Sequence, residues 1–362
     1  MKIAVITARF SVSGVPLAQI RLATAWQSRG HDVACVFGWL GDGALRIPEG
    51  LERIDLGATR VIRMLPALIA YLRREQPEII FSAEDHLNAV VLLAAILSGS
   101  KAKICCSSRV TPFDTYSSKP LSKRWLLKWA MRAVMRRADV LSCVSEGMVA
   151  QYAQVFPGAG HVCVYNIVDP ARSRQQMAEP VDLEWFSDPG LKVVVGAGSL
   201  EPWKGFHDLI RAMTLAPANA RLLILGEGSR RSELQQLITS QGLEDRAMLY
   251  GRTDNPLKFF SQSQVFVLSS SVEGMPNVLV EAMMCGCTPV STDCETGPRE
   301  LLADRGVGTL VPVGDWRAIG EAISFALEHP TPPDKLENAI APFSETAVLR
   351  EYARLLALID NV

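Results

Sequence analysis

Long apolar runs are scarce in this chain. The longest uncharged one, Leu87 to Ser100, falls short of the ~20 residues that cross a bilayer, so no inserted anchor is expected. An excess of one charge is also missing: 37 Lys and Arg face 38 Asp and Glu, a formal net charge of −1. A general nucleic-acid binder would carry a strong basic balance, and a disordered tail would lack the 48% apolar content found here. The eight cysteines never fall at C-x-x-C spacing, which argues against zinc or dithiol chemistry. Cys35, Cys143, Cys163, the adjacent Cys105-Cys106 and the Cys285-x-Cys287 pair mostly lie in or beside apolar runs. They read as small buried hydrophobes in a reducing cytosol. No solenoid-period repeat and no low-complexity tract appear. Lys2-Ile3-Ala4-Val5-Ile6 runs straight into polar residues without a secretory signal, and a cytoplasmic location is expected.

What is present is an alternation. At 362 residues the chain exceeds the usual single core, so two domains are expected. In the first half, Ile3–Ile6, Val33–Phe37, Glu78–Phe81, Lys103–Cys106, Val140–Val144 and Val162–Tyr165 read as buried strands. Between them Leu17–Ser28, Ile62–Arg74, Leu87–Leu97 and Leu121–Arg137 read as helices. Near-continuous Val/Ile/Leu strands separated by helices predict an α/β fold with a parallel sheet covered on both faces. The periodicity stops over 169–190, where Pro170, Arg172, Arg174, Pro180, Asp188 and Pro189 crowd together, and this stretch reads as a linker. The alternation restarts over 191–344 with strands at Lys192–Val195, Arg221–Leu225, Met248–Tyr250, Val265–Leu268 and Thr288–Ser291. Helices are expected at Phe206–Thr214, Arg231–Ser240, Pro276–Met284 and Trp316–Leu327. A last amphipathic helix, Glu345–Ile359 within 345–362, is expected to pack back on the first domain, 1–168. The predicted architecture is two Rossmann-like, doubly wound parallel-sheet domains facing across a cleft.

The chemistry concentrates in Glu273-Gly274-Met275-Pro276-Asn277-Val278-Leu279-Val280-Glu281, which follows the apolar run Val265–Leu268. Pro276 suits the first position of a helix, and the N–H groups of Asn277 and its successors then point out of a positive helix end that attracts phosphate. The two glutamates accept hydrogen bonds only, which suits hydroxyl groups. Amides for a diphosphate and carboxylates for sugar hydroxyls together describe a nucleotide-sugar site. A second motif is Gly198-Ser199-Leu200-Glu201-Pro202-Trp203-Lys204-Gly205. It follows a strand and is expected to present Lys204 with a free ammonium, while the Pro202-Trp203 pair reads as local packing. A third is Ser13-Gly14-Val15 before a helix that ends Arg29-Gly30-His31-Asp32-Val33, with His31 structural at a strand edge.

These blocks, together with Pro289–Cys294 and Gly297-Pro298-Arg299-Glu300, resemble a family 4 retaining glycosyltransferase of the GT-B fold over nearly the whole chain. The pattern is also similar to members that build surface polysaccharides and lipid-linked oligosaccharides. The resemblance implies a donor-sugar or phosphate contact at Glu273 and a ribose contact at Glu281. It further implies backbone contacts to sugar and phosphates around Gly274, Met275, Asn277 and Val278. Lys204 is implied on the donor diphosphate, with Gly14, Gly226 and Arg252 near the nucleotide. Family members usually carry an arginine where this chain has Ser199, so either Arg252 takes part or Lys204 and the helix start suffice. Asn166 with Val168-Asp169 resembles the family's hinge, with Ile167 in place of a proline.

Acceptor-side groups are less clearly marked. Glu84, Asp85, His86 and Arg109 are the candidates, and the histidine common at the end of the Ile79–Phe81 strand is out of register here. Lys119, Lys123, Arg124, Lys128, Arg132, Arg136 and Arg137 share a stretch with no acidic residue and are interleaved with Trp125, Leu126, Leu127 and Trp129. That stretch, 119–137, reads either as a helix resting on an anionic membrane, peripheral to its inner face, or as a solvated helix with core-facing tryptophans. No Asp-x-Asp motif appears, and Asp293-Cys294-Glu295 reads as structural, so neither metal nor other cofactor is expected and the nucleotide sugar is a substrate. The expected reaction moves a hexose or N-acetylhexosamine from a UDP-type donor to a glycan or polyprenyl-linked acceptor, with no nucleic-acid partner. A sugar-nucleotide epimerase of the same architecture, or an inactive nucleotide-sugar binding protein, are the alternatives.

Overall fold

The computed structural model describes residues 1–10, 14–40, 50–168, 170–303 and 305–358. Ser13, Asp169 and the end of the chain from Ile359 lie outside the described residues. The chain divides into two compact units, Met1–Ile167 with Glu345–Val362, and Val168–Ser344.

The first unit runs β1 (Lys2–Thr7), α1 (Gly14–Ser28), β2 (Asp32–Phe37), β3 (Glu52–Asp55), α2 (Leu65–Glu75), β4 (Ile79–Ala83) and α3 (Asp85–Ser98). It continues with β5 (Lys103–Ser108), α4 (Pro112–Thr115), α5 (Lys123–Val134), β6 (Val140–Cys143), α6 (Glu146–Val155) and β7 (Val162–Cys163). Its sheet is wholly parallel in the order β3-β2-β1-β4-β5-β6-β7. The order reverses between β1 and β4, which makes their carboxyl ends the topological switch point.

The second unit runs α7 (Pro170–Met177), β8 (Lys192–Ala197), α8 (Phe206–Ala212), β9 (Ala220–Leu225), α9 (Arg231–Ser240), β10 (Ala247–Gly251) and α10 (Leu257–Phe260). It continues with β11 (Val265–Leu268), α11 (Asn277–Met284), β12 (Thr288–Thr292), α12 (Pro298–Leu302), β13 (Thr309–Val311), α13 (Trp316–Glu328) and α14 (Pro333–Ile340). Its parallel sheet is ordered β10-β9-β8-β11-β12-β13, with the switch point between β8 and β11.

The last helix, α15 (Glu345–Leu355), belongs to the first unit. Its Val348, Leu349 and Tyr352 join Trp26 of α1 and Phe81 of β4 in one buried cluster, with the Phe81 and Tyr352 rings 5.0 Å apart. Burying each such Val or Leu contributes roughly 1.5–3 kcal/mol, which is what holds a helix of this length in place.

Several expectations need correction. The stretch 169–190 is not only linker: α7 occupies its start, and Asn255 Nδ2 and Ser261 Oγ donate to the carbonyls of Gln176 and Met177 at 2.9 and 2.7 Å. The helix expected from Pro276 begins at Asn277, with Pro276 as its N-cap. The helix after Ser13 starts at Gly14, three residues early. The strand Val162–Tyr165 shrinks to two residues, while β3 and α6 went unread. Helix α5 starts at Lys123 because Ser122 caps it, accepting from the Trp125 N–H at 3.1 Å.

Candidate functional site

In the second unit the polar groups gather at the switch point. Strands β8 and β11 are neighbours, so the turns that leave their carboxyl ends, 198–205 and 269–276, lie side by side. Gly205 permits the approach. It has φ +64, and a Cβ there would stand 2.0 Å from the Ser269 carbonyl oxygen. The Ser269 hydroxyl donates to the Lys204 carbonyl at 2.8 Å, and the Ser271 N–H donates to the Trp203 carbonyl at 2.8 Å.

These bonds bring Lys204 onto Glu273. The ammonium lies 2.5 Å from Oε1, with the side chains 19% and 12% exposed, so the free ammonium expected from the sequence is in fact paired. The Ser270 hydroxyl donates to the same carboxylate oxygen at 2.6 Å. The Thr296 hydroxyl donates to the Glu273 carbonyl, and Gly297, at φ +84, leaves room for the carbonyl of Gly274. Sequence reasoning missed Ser269, Ser270 and Thr296. The serine run directly after an apolar strand was the signal for the first two.

Gly274 and Met275 follow Glu273, and α11 opens two residues later. Among the described residues, the N–H groups of Gly274, Met275 and Val278 have no acceptor, while the Leu279 N–H turns back to the Pro276 carbonyl at 2.9 Å. Unpaired amides at a helix start are an anion-binding arrangement. Asn277, Val278 and Glu281 share the half-buried face of α11, and its Leu279, Val280, Ala282 and Met283 anchor the other face.

Gly226 reaches the same place. Its φ is +150 and a Cβ would meet the Gly198 carbonyl oxygen at 1.8 Å, while its N–H donates to Gly251 at 2.8 Å, directly before Arg252. The aliphatic stem of Lys204 rests 3.5 Å from where a Gly198 Cβ would stand. Ser199 and Arg252 are exposed. Trp203 is 50% exposed. Asp293 pairs with Arg299, and Cys294 is buried against the Ser270 carbonyl. No group of three or more His, Cys, Asp or Glu able to hold a metal occurs among the described residues.

In the first unit the acceptor-side candidates separate. Glu84 follows β4 and takes the N-cap position of α3 at φ +80 and ψ +126, a conformation rare for a residue with a side chain. Its carboxylate lies 3.8 Å from the His86 ring. Asp85 is turned into the interior instead. It accepts from Ser108 at 3.0 Å, Tyr116 at 2.6 Å and Tyr152 at 2.9 Å, so its carboxylate is spent on tying α3 to β5, α4 and α6. Burial pushes this carboxyl above its ordinary value, and the three hydroxyl donors pull it partly back. Arg109 is bonded to Asn166, its Nε is buried without a partner, and burial lowers its guanidinium. Gly14 and Glu84 line the same small cavity.

On α5 only Met131 is buried, while Leu126 and Trp129 are each 52% exposed and Trp125 is half-buried, so Trp129 does not face the core. Leu121 just before it is 82% exposed. No helix among the described residues is long and apolar enough to cross a membrane. All eight cysteines are free thiols, and burial pushes Cys105 up to about 12 and Cys294 up to about 11, far from reactive thiolates.

Comparison with known proteins decides the family. The description "Glycosyl transferases group 1" matches residues 183–342, and "Glycosyl transferase 4-like domain" matches residues 13–166. The chain belongs to the group 1 and 4-like glycosyltransferases. It is 30% identical over 254 residues to the Campylobacter jejuni N-acetylgalactosamine-N,N'-diacetylbacillosaminyl-diphospho-undecaprenol 4-alpha-N-acetylgalactosaminyltransferase. That match covers 70% of this chain and 66% of the relative's length. It is 27% identical to the lipopolysaccharide core biosynthesis glycosyltransferase LpsE of Rhizobium meliloti, over 93% of this chain and 94% of that one. Among solved structures, Anabaena HepE in complex with UDP superposes with a TM-score of 0.78, covering 99% of this chain and 100% of that chain at 19% identity. Likeness at that identity gives the fold, and the fold of this glycosyltransferase is GT-B.

Proposed function

We propose that this glycosyltransferase moves a hexose or N-acetylhexosamine, with retention, from a UDP-sugar to a glycan or polyprenyl-linked acceptor. The observation that carries the reading is the Lys204–Glu273 pair beside the unpaired N–H groups of Gly274, Met275 and Val278. Relatives support the substrate classes: the Campylobacter jejuni enzyme's name contains a diphospho-undecaprenol acceptor, and HepE was solved with UDP and with UDP-glucose.

In this reading the diphosphate lies against the start of α11 with Lys204 on its oxygens. As the sugar–phosphate bond breaks, the leaving charge meets donors already in place, the electrostatic contribution usually largest in catalysis. A leaving phosphate oxygen takes the acceptor proton on the face of attack, so no protein nucleophile and no metal are called on. Glu273 holds Lys204 until the donor arrives and then meets sugar hydroxyls. Glu281 takes the ribose, Asn277 and Val278 the phosphates, and Ser199, Gly226 and Arg252 complete the donor contacts. Glu84, His86 and Arg109 serve the acceptor, with Asp85 behind them as a positioning residue.

We also propose that α5 rests on an anionic membrane surface, which would keep the protein peripheral to the inner face of the membrane. Its outward stripe of Leu126 and Trp129, flanked by Arg132 and Arg136, supports this. Product analysis with a panel of UDP-sugars tests the main reading. A glycoside is expected, whereas an epimerised donor or unchanged donor would replace it with the epimerase or binding-protein alternative.

A further inference from the structure

Glu201 stands where two turns of the second unit meet. Strands β8 and β9 pair in parallel as far as Ala197 and Leu225. The pairing continues past the strand ends. The Gly198 N–H donates to the Leu225 carbonyl at 3.0 Å, the Leu200 N–H to that of Glu227 at 3.0 Å, and the Arg230 N–H to that of Leu200 at 2.9 Å. Gly228 makes this approach possible, because a Cβ there would stand 2.6 Å from both the Leu200 nitrogen and its carbonyl oxygen. Backbone bonds alone therefore fix the segment 226–230 against 198–200.

That ladder ends at Leu200, directly before the turn that carries Lys204. The turn is a single 3-10 piece, Pro202–Lys204, with Glu201 at its N-cap position. The Glu201 carbonyl accepts from the Lys204 N–H at 3.0 Å, so a shift of Glu201 is passed on to Lys204. From the β11 side the turn is held by the Ser269 hydroxyl on the Lys204 carbonyl and by the Ser271 N–H on the Trp203 carbonyl. From the β9 side the tie is the Glu201 carboxylate. One of its oxygens accepts from the Ser229 N–H at 3.0 Å and the other from the Ser229 hydroxyl at 2.7 Å. These two bonds, the N–H foremost, hold the carboxyl below its ordinary value, and the charge of Arg230 acts in the same direction.

A carboxylate on an exposed turn keeps its rotamer freedom unless something is gained by giving it up. Here both oxygens are committed to one residue 28 positions away, and that residue sits on a segment which three backbone bonds already secure. The segment 226–230 is thus the anchor, and the turn 202–204 is what the carboxylate steadies. Fixing a charged donor in this way matters because a displacement of about 1 Å at a reacting centre costs on the order of 100-fold in rate.

We propose that Glu201 is a positioning residue for the transfer reaction: by clasping Ser229 it fixes the 202–204 turn, and with it the Lys204 ammonium, where the donor diphosphate lies. The proposal rests on the reading of Lys204 as a diphosphate contact.

The test uses the full chain, with UDP affinity read by calorimetry, uridine binding by saturation-transfer NMR, and turnover with the UDP-sugar that the wild type uses. Glu201→Ala is expected to weaken UDP and lower turnover by about tenfold each, the scale of one charge-assisted contact. Uridine, which has no phosphate, is expected to bind as before. Glu201→Gln keeps an acceptor for the Ser229 N–H and offers a donor to its hydroxyl, so it is expected to recover most of the loss. Ser229→Ala removes one of the two bonds and should give a smaller loss in the same direction. In a Lys204→Ala background neither Glu201→Ala nor Ser229→Ala should weaken UDP further, since the group they position is gone. Unchanged UDP affinity and turnover in Glu201→Ala, equal losses for uridine and UDP, or an undiminished loss in the Lys204→Ala background each overturn the proposal. Hydrogen exchange without nucleotide separates it from the donor reading. The peptide covering 198–205 is expected to exchange faster in Glu201→Ala than in wild type, and equal exchange overturns the clasp. Faster exchange in a protein whose wild type does not bind UDP leaves the clasp standing and removes the donor reading instead.

Discussion

The ammonium of Lys204 stands 2.5 Å from Oε1 of Glu273, and Ser270 donates to that same oxygen at 2.6 Å. Two opposite charges withdrawn from water in this way depend on each other: removing one strands the other, at about 3–5 kcal/mol for a fully buried pair and less here, where some exposure remains. Lys204→Ala and Glu273→Ala should each lower the melting temperature, and the double variant should recover part of that loss. Donor turnover should behave differently. It should fall by about 100-fold or more in Lys204→Ala, the scale of losing one preorganised donor to the leaving group, and stay low in the double variant. Recovery of turnover alongside stability would assign the pair a structural role only.

Two glycines position that pair through backbone contacts. Gly205 and Gly226 both have positive φ, and added Cβ atoms would meet the carbonyl oxygens of Ser269 and Gly198 at 2.0 and 1.8 Å. Backbone cannot yield as a flexible side chain can. Gly205→Ala and Gly226→Ala should therefore each cost more than about 1 kcal/mol, and UDP binding should weaken with them. Gly286→Ala, at φ +94 with open space around it, should show the conformational cost without the clash and serves as the control in denaturant titration.

How much of this was legible in the sequence depended on whether a segment's reason for existing is local. Strands such as Ile3–Ile6 and Val265–Leu268 announce themselves because burial on both faces leaves only apolar residues. Strand β3 does not, since an edge strand of Glu52, Arg53, Ile54 and Asp55 carries charges on most of its positions. Helix α7 was hidden for a different reason: its sequence has almost no apolar period, and Asn255 and Ser261 fix its end from far along the chain. The site divides the same way. Glu273, Glu281 and Lys204 stood out by motif, but the Lys204–Glu273 bond spans 69 residues and exists only because β8 and β11 are neighbours. Asp85 looked like a polar group beside Glu84 and His86. The tyrosines that enclose it, Tyr116 and Tyr152, come from elements no local pattern connects to it.

The outward stripe of α5 gives a membrane prediction with a magnitude. Each Lys or Arg near an anionic surface contributes about 1 kcal/mol, so Arg132→Gln with Arg136→Gln should weaken vesicle binding by about 30-fold. Trp129→Ser should weaken it further, and added salt should lower the arginine contribution but not the tryptophan one. Flotation with anionic and neutral vesicles measures both. Retention that is equal on the two vesicle types, or absent on anionic ones, would rule out an electrostatic membrane role for this helix.

His161 makes the first unit sensitive to acid in a direction that can be worked out. Its ring lies 4.9 Å from that of Tyr152, its Nδ1 is buried without a partner, and burial pushes its pKa down to about 4 from 6.5. The unfolded chain takes up this proton near pH 6.5 and the folded chain only near 4, so the folded state carries its full advantage above 6.5. That advantage is lost progressively as pH falls through this window, and below 4 the two states again bind equally. The depression corresponds to roughly 3 kcal/mol at most. His161→Phe removes the titration while keeping a ring against Tyr152 and Phe156. Denaturant midpoints measured from pH 7 to pH 4 should therefore decline more steeply for wild type than for the variant, whereas parallel declines would show that His161 is charged at little cost in the folded state.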